Sequence, residues 1–266
     1  MTTEQKYAKL IAIVRPLEKV LVAFSGGVDS TFLLKVCIDV LGPRNVVALI
    51  ASSETYPRSE LEEALILARS LGAEHEVIET DEMGDAAFVE NTKERCYFCK
   101  RHLFADARAL AERRGITHIV EGSNSDDRSD YRPGRKAIAE LGILSPLLDA
   151  GLTKAEIRAR SSRLGLPTAT KPSYACLASR IPYGTAVSPE LLQRIERSEA
   201  AIRAMGLGQV RVRAHGNVAR IEVGDADFDV VLARRDEIAE ALRELGFIYV
   251  TLDLAGYRTG SMNEVL

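Results

Sequence analysis

Three cysteines carry the sharpest chemistry in this chain. Cys96-Tyr97-Phe98-Cys99 sets two thiols about one helical turn apart, and Cys176 stands in the irregular stretch Pro172-Ser173-Tyr174-Ala175-Cys176-Leu177-Ala178-Ser179-Arg180. Arg95, Lys100 and Arg101 flank the pair at the expected start of a helix, a setting that favours thiolates. A CxxC pair alone is ambiguous between zinc, an iron–sulfur cluster and a redox disulfide. Zinc normally takes four ligands, and the chain has no second CxxC or nearby His pair. Three cysteines can hold a [4Fe-4S] cluster with one iron left open to an extra sulfur or a substrate. The remaining cysteine, Cys37, is surrounded by Leu33, Leu34, Val36 and Ile38 and reads as core.

A second group of residues is built for phosphate. The string Ser25-Gly26-Gly27-Val28-Asp29-Ser30 follows an apolar run and precedes a helical one. Two glycines let the backbone approach a ligand closely, and the unpaired amides of a helix start attract an anion. Ser25 and Ser30 add hydroxyls. Asp29 would repel a bare phosphate, and a Mg²⁺ between carboxylate and phosphates removes the conflict. The loop is neither a Walker A motif nor a GxGxxG fingerprint. Downstream, Glu121 to Gly134 is dense in carboxylates: Asp126, Asp127 and Asp130 are oxygen ligands of the type Mg²⁺ prefers, and Arg128, Arg132 and Arg135 suit an anion.

These groups need elements to hold them. Residues 19–24, 45–52, 75–80 and 118–122 read as strands, and 28–41, 57–71 and 96–114 as helices between them. That alternation predicts an α/β fold with a parallel sheet and helices on both faces. Ligands then sit beyond the carboxyl ends of the strands, where the loops after Phe24 and Val120 fall. A further helix over 153–164 opens with a capping box at Thr153 and Glu156. Prolines 167, 172, 182 and 189 mark a linker and a functional loop. The tail predicts a helix over 189–205, strands at 210–213 and 219–223 about a turn at 215–217, a helix over 229–245 and a strand at 247–254. This is a small α+β domain with a half-exposed sheet, which places domains at 1–170 and 171–266.

The bulk numbers are those of a soluble protein: 46% hydrophobic, 27% charged, net charge -3 and pI near 5.9. No general electrostatic grip on nucleic acid is expected. The first residues are polar and mixed in charge and no long apolar run occurs, so neither export nor a membrane span is expected, and the protein reads as cytoplasmic.

The string SGGVDS after an apolar strand resembles the PP-loop of the ATP pyrophosphatase superfamily, whose members split ATP between its α and β phosphates. With RCYFCK (95–100), EGSNSDDRSDYRPG (121–134), KPSYACLASRIPYGT (171–185) and GYRTGSMNE (256–264), nearly the whole chain resembles the LarE family of ATP-dependent sulfur transferases. The resemblance implies an adenine nucleotide alpha hydrolase-like domain, with ATP and Mg²⁺ held near Ala23, Ser25, Gly26, Gly27, Asp29, Ser30, Ser52, Gly122 and Asp127. It implies a pyridinium biscarboxylic acid mononucleotide as substrate, adenylated on a carboxylate and then thiolated, for the nickel-pincer cofactor of lactate racemase. Asp126, Arg132, Ser179, Arg180, Arg211 and Arg213 become candidates for binding that substrate, with Glu199 and Glu222 near the last two. Members with a lone cysteine at the position of Cys176 give up its sulfur. Cys96 and Cys99 place this chain with the three-cysteine type, where a [4Fe-4S] cluster carries the sulfide. A homo-oligomer and a transient sulfur donor follow from the same resemblance. Two other PP-loop classes remain open. A tRNA-thiolating enzyme would need a nucleic-acid surface, and an ammonia-dependent synthetase would leave Cys176 without a role.

Overall fold

The computed structural model describes residues 1–128, 133–172, 175–258 and 260–261. In chain order they form α1 (Thr3–Val14), β1 (Val20–Ala23), α2 (Val28–Leu41), β2 (Val46–Ser52), α3 (Arg58–Ser70), β3 (Glu74–Glu79), α4 (Ala86–Val89), α5 (Arg95–Arg113), β4 (His118–Val120), α6 (Gly134–Glu140), α7 (Pro146–Ala150), α8 (Lys154–Arg163), α9 (Pro189–Ala204), β5 (Val210–His215), β6 (Val218–Val223), α10 (Phe228–Ala233), α11 (Arg235–Glu244) and β7 (Tyr249–Leu252). No helix among the described residues is long and apolar enough to cross a membrane.

The chain divides into two compact units, and it enters each of them twice. Residues 1–82 and 96–174 make the first, and 83–95 and 175–266 the second.

The first unit holds a sheet of order β3-β2-β1-β4, parallel throughout, as the βα alternation predicts. Side chains alternate across β1. Val20 and Val22 enter a core with Phe32, Leu34, Val46, Ala64 and Ile157. Leu21 points the other way, into a core with Val47, Leu49, Phe104 and Ile119. Each such Leu or Phe contributes about 1.5–3 kcal/mol by leaving water. Both faces of the sheet are therefore packed into apolar cores. The chain order reverses between β1 and β4, so a crevice opens at their carboxyl ends. The capping box of α8 is present: Thr153 Oγ1 accepts from the Glu156 amide and the Glu156 side chain from the Thr153 amide.

The second unit holds a sheet of order β5-β6-β7, antiparallel between β5 and β6 and parallel between β6 and β7. β7 and the first half of β6 show the half-exposed alternation expected of this sheet, whereas β5 is buried along Val210 to Ala214 on both faces. The reason is that Arg211 and Arg213 find partners inside the unit. The helix expected over 229–245 is two helices. Arg234 departs from helical geometry (φ -106°, ψ 18°), and its guanidinium bridges the Met205 carbonyl and Glu237, which fixes the break.

Candidate active site

The PP-loop leaves β1 and turns into α2. Gly27 caps α2 without any side-chain hydrogen bond, so the first-turn amides keep their capacity for an anion. Gly26 adopts φ +62°, and a Cβ there would lie 3.0 Å from Ala64 Cβ. The loop is thus seated directly on α3. Tyr56 Oη donates to the Ser25 carbonyl at 2.7 Å and holds the same turn from the side. Ser30 Oγ accepts from the Ser25 amide at 3.2 Å and lies 3.1 Å from Ser25 Oγ. Ala23 and Ser52 end the neighbouring strands β1 and β2, both half-buried.

The loop after β4 lies against this turn. A Cβ on Gly122 would come within 3.1 Å of the Ser30 amide nitrogen, so the two loops pack closely here. Asp127 is buried, and its Oδ2 accepts from the Asn124 amide at 2.9 Å. Asp126 Oδ2 accepts from the Lys154 amide at 2.9 Å, which ties this loop to the start of α8. The Lys154 ammonium in turn pairs with Asp29 Oδ2. Asp29 Oδ1 is buried without a hydrogen-bond partner among the described residues. Burial pushes the Asp29 carboxyl above the usual carboxylate range; Lys154 and Arg158 oppose this and the charge of Asp127 adds to it.

An orphaned carboxylate oxygen with a second carboxylate near it suits a hard cation. Among the described residues no group of three or more His, Cys, Asp or Glu is placed to hold a metal. The expected grouping of Cys96, Cys99 and Cys176 is therefore not formed among the described residues.

Cys96 and Cys99 occupy the first turn of α5, the former exposed and the latter half-buried. Residues three apart share a helix face. A Cβ on Gly134 would lie 2.9 Å from Lys100 Cγ and 3.1 Å from the Cys96 carbonyl oxygen, so the start of α6 passes close over this turn. Cys99 Sγ lies 3.7 Å from Glu82 Oε1, which also accepts from Thr80 Oγ1 at 3.0 Å. Burial pushes the Glu82 carboxyl up, against its hydrogen bonds to Thr80, Ser53 and Cys99. Cysteine thiolates are the ligands that iron–sulfur clusters take. Cys37 differs: it is fully buried on α2 and its thiol is pushed up to about 12 by burial, as a core residue should be.

Cys176 is half-buried and free in the second unit. Its loop is fixed from behind. Asn91, fully buried at φ 54°, donates to the carbonyls of Pro182 and Thr185 at 2.9 Å each. Arg95 donates to the Ala178 carbonyl at 2.8 Å. Arg180 is fully buried; its Nε donates to Glu199 Oε1 at 2.9 Å and its Nη1 to the Cys176 carbonyl at 3.0 Å. Arg213 donates to Glu222 Oε2 at 2.6 Å, to the Ser179 carbonyl at 3.0 Å and to Ser261 Oγ at 3.0 Å. Arg211 lies over the Tyr257 ring at 5.3 Å. Of the residues expected to meet substrate, Ser179, Arg180, Arg211 and Arg213 thus surround the cysteine loop, already partnered by carboxylates and carbonyls. Asp126 serves the α8 start, and Arg132, with Asp130, lies outside the described residues.

Sequence reasoning passed over Lys154 and Glu82. Lys154 was visible only as part of a capping box, and its partner Asp29 is 125 residues away. Glu82 carries no local signal at all.

The family model for NAD synthase matches residues 9–119. The chain is 42% identical over 268 residues to an uncharacterized protein of Synechocystis sp., covering 99% of this chain and 98% of that one. It is 38% identical over 265 residues to the pyridinium-3,5-bisthiocarboxylic acid mononucleotide synthase of Lactiplantibacillus plantarum, covering 100% of this chain and 96% of the relative. An NH(3)-dependent NAD(+) synthetase of Methanopyrus kandleri is 32% identical over 164 residues, covering 56% of this chain and 54% of its own.

Proposed function

Since the chain belongs to the LarE family and is an ATP-dependent PP-loop enzyme, we propose that it adenylates a carboxylate of pyridinium-3,5-biscarboxylic acid mononucleotide and converts it to a thiocarboxylate. The observation that carries this reading is the uncapped start of α2 faced by Asp29, Asp127 and Lys154. A carboxylate cannot expel oxide, so it needs a better leaving group. A carboxylate oxygen of the substrate attacks the α-phosphorus of ATP, the bond from that phosphorus to the bridging oxygen breaks, and pyrophosphate departs with the electron pair. The α2 amides and Lys154 hold the phosphates, and Asp29 and Asp127 are the carboxylates that would hold Mg²⁺, which when bound would offset the phosphate charge.

A sulfur nucleophile then attacks the acyl carbon, and the bond from that carbon to the AMP oxygen breaks with its electrons on AMP. Sulfur reaches the acyl group by way of the Cys176 loop, which Arg180 and Arg213 brace from within through Glu199, Glu222 and the loop's own carbonyls. Cys96, Cys99 and Cys176 are the thiolates that would hold a [4Fe-4S] cluster, which when bound supplies a renewable sulfide in place of the protein's own sulfur. The product serves a nickel-pincer nucleotide such as that of lactate racemase. Assembly as a homo-oligomer and a transient sulfur donor belong to the same proposal.

Two measurements test it. Exchange of labelled pyrophosphate into ATP should require the biscarboxylic mononucleotide; exchange driven equally by tRNA, or by nothing added, would overturn the substrate. Anaerobic reconstitution should give a brown protein with about 4 Fe and 4 sulfides per chain. A colourless product holding zinc alone would overturn the cluster.

A further inference from the structure

The start of α8 sets a cation against the first turn of α2. Lys154 Nζ pairs with Asp29 Oδ2. The Lys154 amide donates to Asp126 Oδ2 at 2.9 Å, and Thr153 and Glu156 cap the same helix start. The backbone of Lys154 is therefore fixed. Its side chain, 29% exposed, is a flexible four-carbon stem, and that stem is the part that can turn.

Asp29 is more enclosed. Its side chain is 19% exposed, and Oδ1 is buried without a partner among the described residues. The charges that act on it are Lys154 and Arg158 of one sign and Asp127 of the other. Two cations compete for this one carboxylate. The ammonium holds it in the chain as it stands, and Mg²⁺ would take it beside a bound nucleotide, because Mg²⁺ is usually held by one or two carboxylates together with phosphates. Sharing is disfavoured, since a double and a single positive charge on one carboxylate repel each other. A polyphosphate resolves the competition. Asp29 is the second residue of α2, so the ion pair belongs to the same helical turn as the amides that suit a phosphate. A turn of the Lys154 stem then exchanges a carboxylate partner for a phosphate one, and ammonium bonds well to either.

We propose that Lys154 is a placeholder cation: it holds the Asp29 carboxylate until a nucleotide arrives, so that Mg²⁺ enters with the nucleotide and not before it. The ammonium passes to the phosphates, and both Asp29 oxygens become open to the ion. The nucleotide-free chain thus rejects divalent cations that would otherwise settle on this carboxylate. The inference rests on the adenylation reading above and adds to it an order of binding.

The test uses the full-length, reduced chain and Mn²⁺ as probe, a cation that takes the same oxygen ligands as Mg²⁺. Electron paramagnetic resonance reads the Mn²⁺ left free in the absence of nucleotide. Lys154→Met should bind one Mn²⁺ per chain about tenfold or more tighter than wild type, within the ordinary range of coupling between two bound species. Lys154→Arg keeps the positive charge and should stay at the wild-type level. Adding Asp29→Asn to Lys154→Met should remove the gained site. Should Lys154→Met not fold, Lys154→Gln also removes the charge and faces the same outcomes. Equal uptake of Mn²⁺ by wild type and Lys154→Met, whether strong or absent, overturns the placeholder, and so does a gained site that survives Asp29→Asn. Calorimetry of wild type with α,β-methylene ATP and Mg²⁺ tests the underlying reading separately: a chain that binds no nucleotide overturns adenylation itself.

Discussion

The ammonium of Lys154, the first residue of α8, pairs with Asp29 Oδ2 on the first turn of α2 and leaves Asp29 Oδ1 buried without a partner. That pair sets a cation beside the first turn of the helix that follows the PP-loop. Lys154→Met should lower kcat/KM for pyrophosphate exchange by about 10²–10³-fold, the usual loss for one charge-stabilising donor. The midpoint of thermal unfolding should move little. The exchange assay and a melt on the same sample check both halves.

Gly26 combines a left-handed φ of +62° with a 3.0 Å approach to Ala64. Gly26→Ala should therefore cost about 1–2 kcal/mol from backbone conformation alone, and should weaken Mg-ATP binding because the loop must lift off α3. The double variant Gly26→Ala with Ala64→Gly relieves the contact and leaves the backbone cost. Calorimetric titration of the three proteins separates the two effects: affinity should return in the double variant while stability does not.

Cys176→Ser should keep substrate-dependent pyrophosphate exchange and lose thiocarboxylate formation. Adenylation is assigned to residues of the first unit and the thiol lies in the second. Mass spectrometry of the nucleotide product beside the exchange assay reads both steps. An ammonia-dependent synthetase would instead retain full turnover in this variant.

Glu199 is fully buried between cations. Burial raises its carboxyl, but Arg180, Arg211 and Arg203 outweigh burial and hold it below the usual 4.5. A group depressed on folding adds stability that is present above its unfolded pKa and is lost as pH falls through the folded value. Glu199→Gln should thus destabilise by about 3–5 kcal/mol at neutral pH, because Arg180 is left buried without its counter-charge. Below pH 4.5 the gap between variant and wild type should close. Urea unfolding across a pH series is the measurement.

What the sequence discloses is what local chemistry determines. The strand, glycine pair and helix start around Ser25 to Ser30 lie within one short stretch, and so does the Thr153–Glu156 capping box. Cys37 declares itself core by its neighbours. The chemistry left unread depends on distant partners. Lys154 meets Asp29 only because the starts of α2 and α8 come together, and Arg211 and Arg213 look like a solvated strand face until Glu222, Tyr257 and the Ser179 carbonyl close around them. The break at Arg234 follows the same rule, since its guanidinium reaches back to Met205.

The chain's two visits to each unit also set a timetable for synthesis. Asn91 leaves the ribosome with its segment 83–95, yet the Ile181 carbonyl that its amide meets is 90 residues further on. At ordinary translation rates of 5–20 residues per second that is a delay of about 5–20 s. For that interval the nascent chain carries an amide destined for the interior with no acceptor yet made, and the turn that steadies the Cys176 loop closes only once residue 185 has been added.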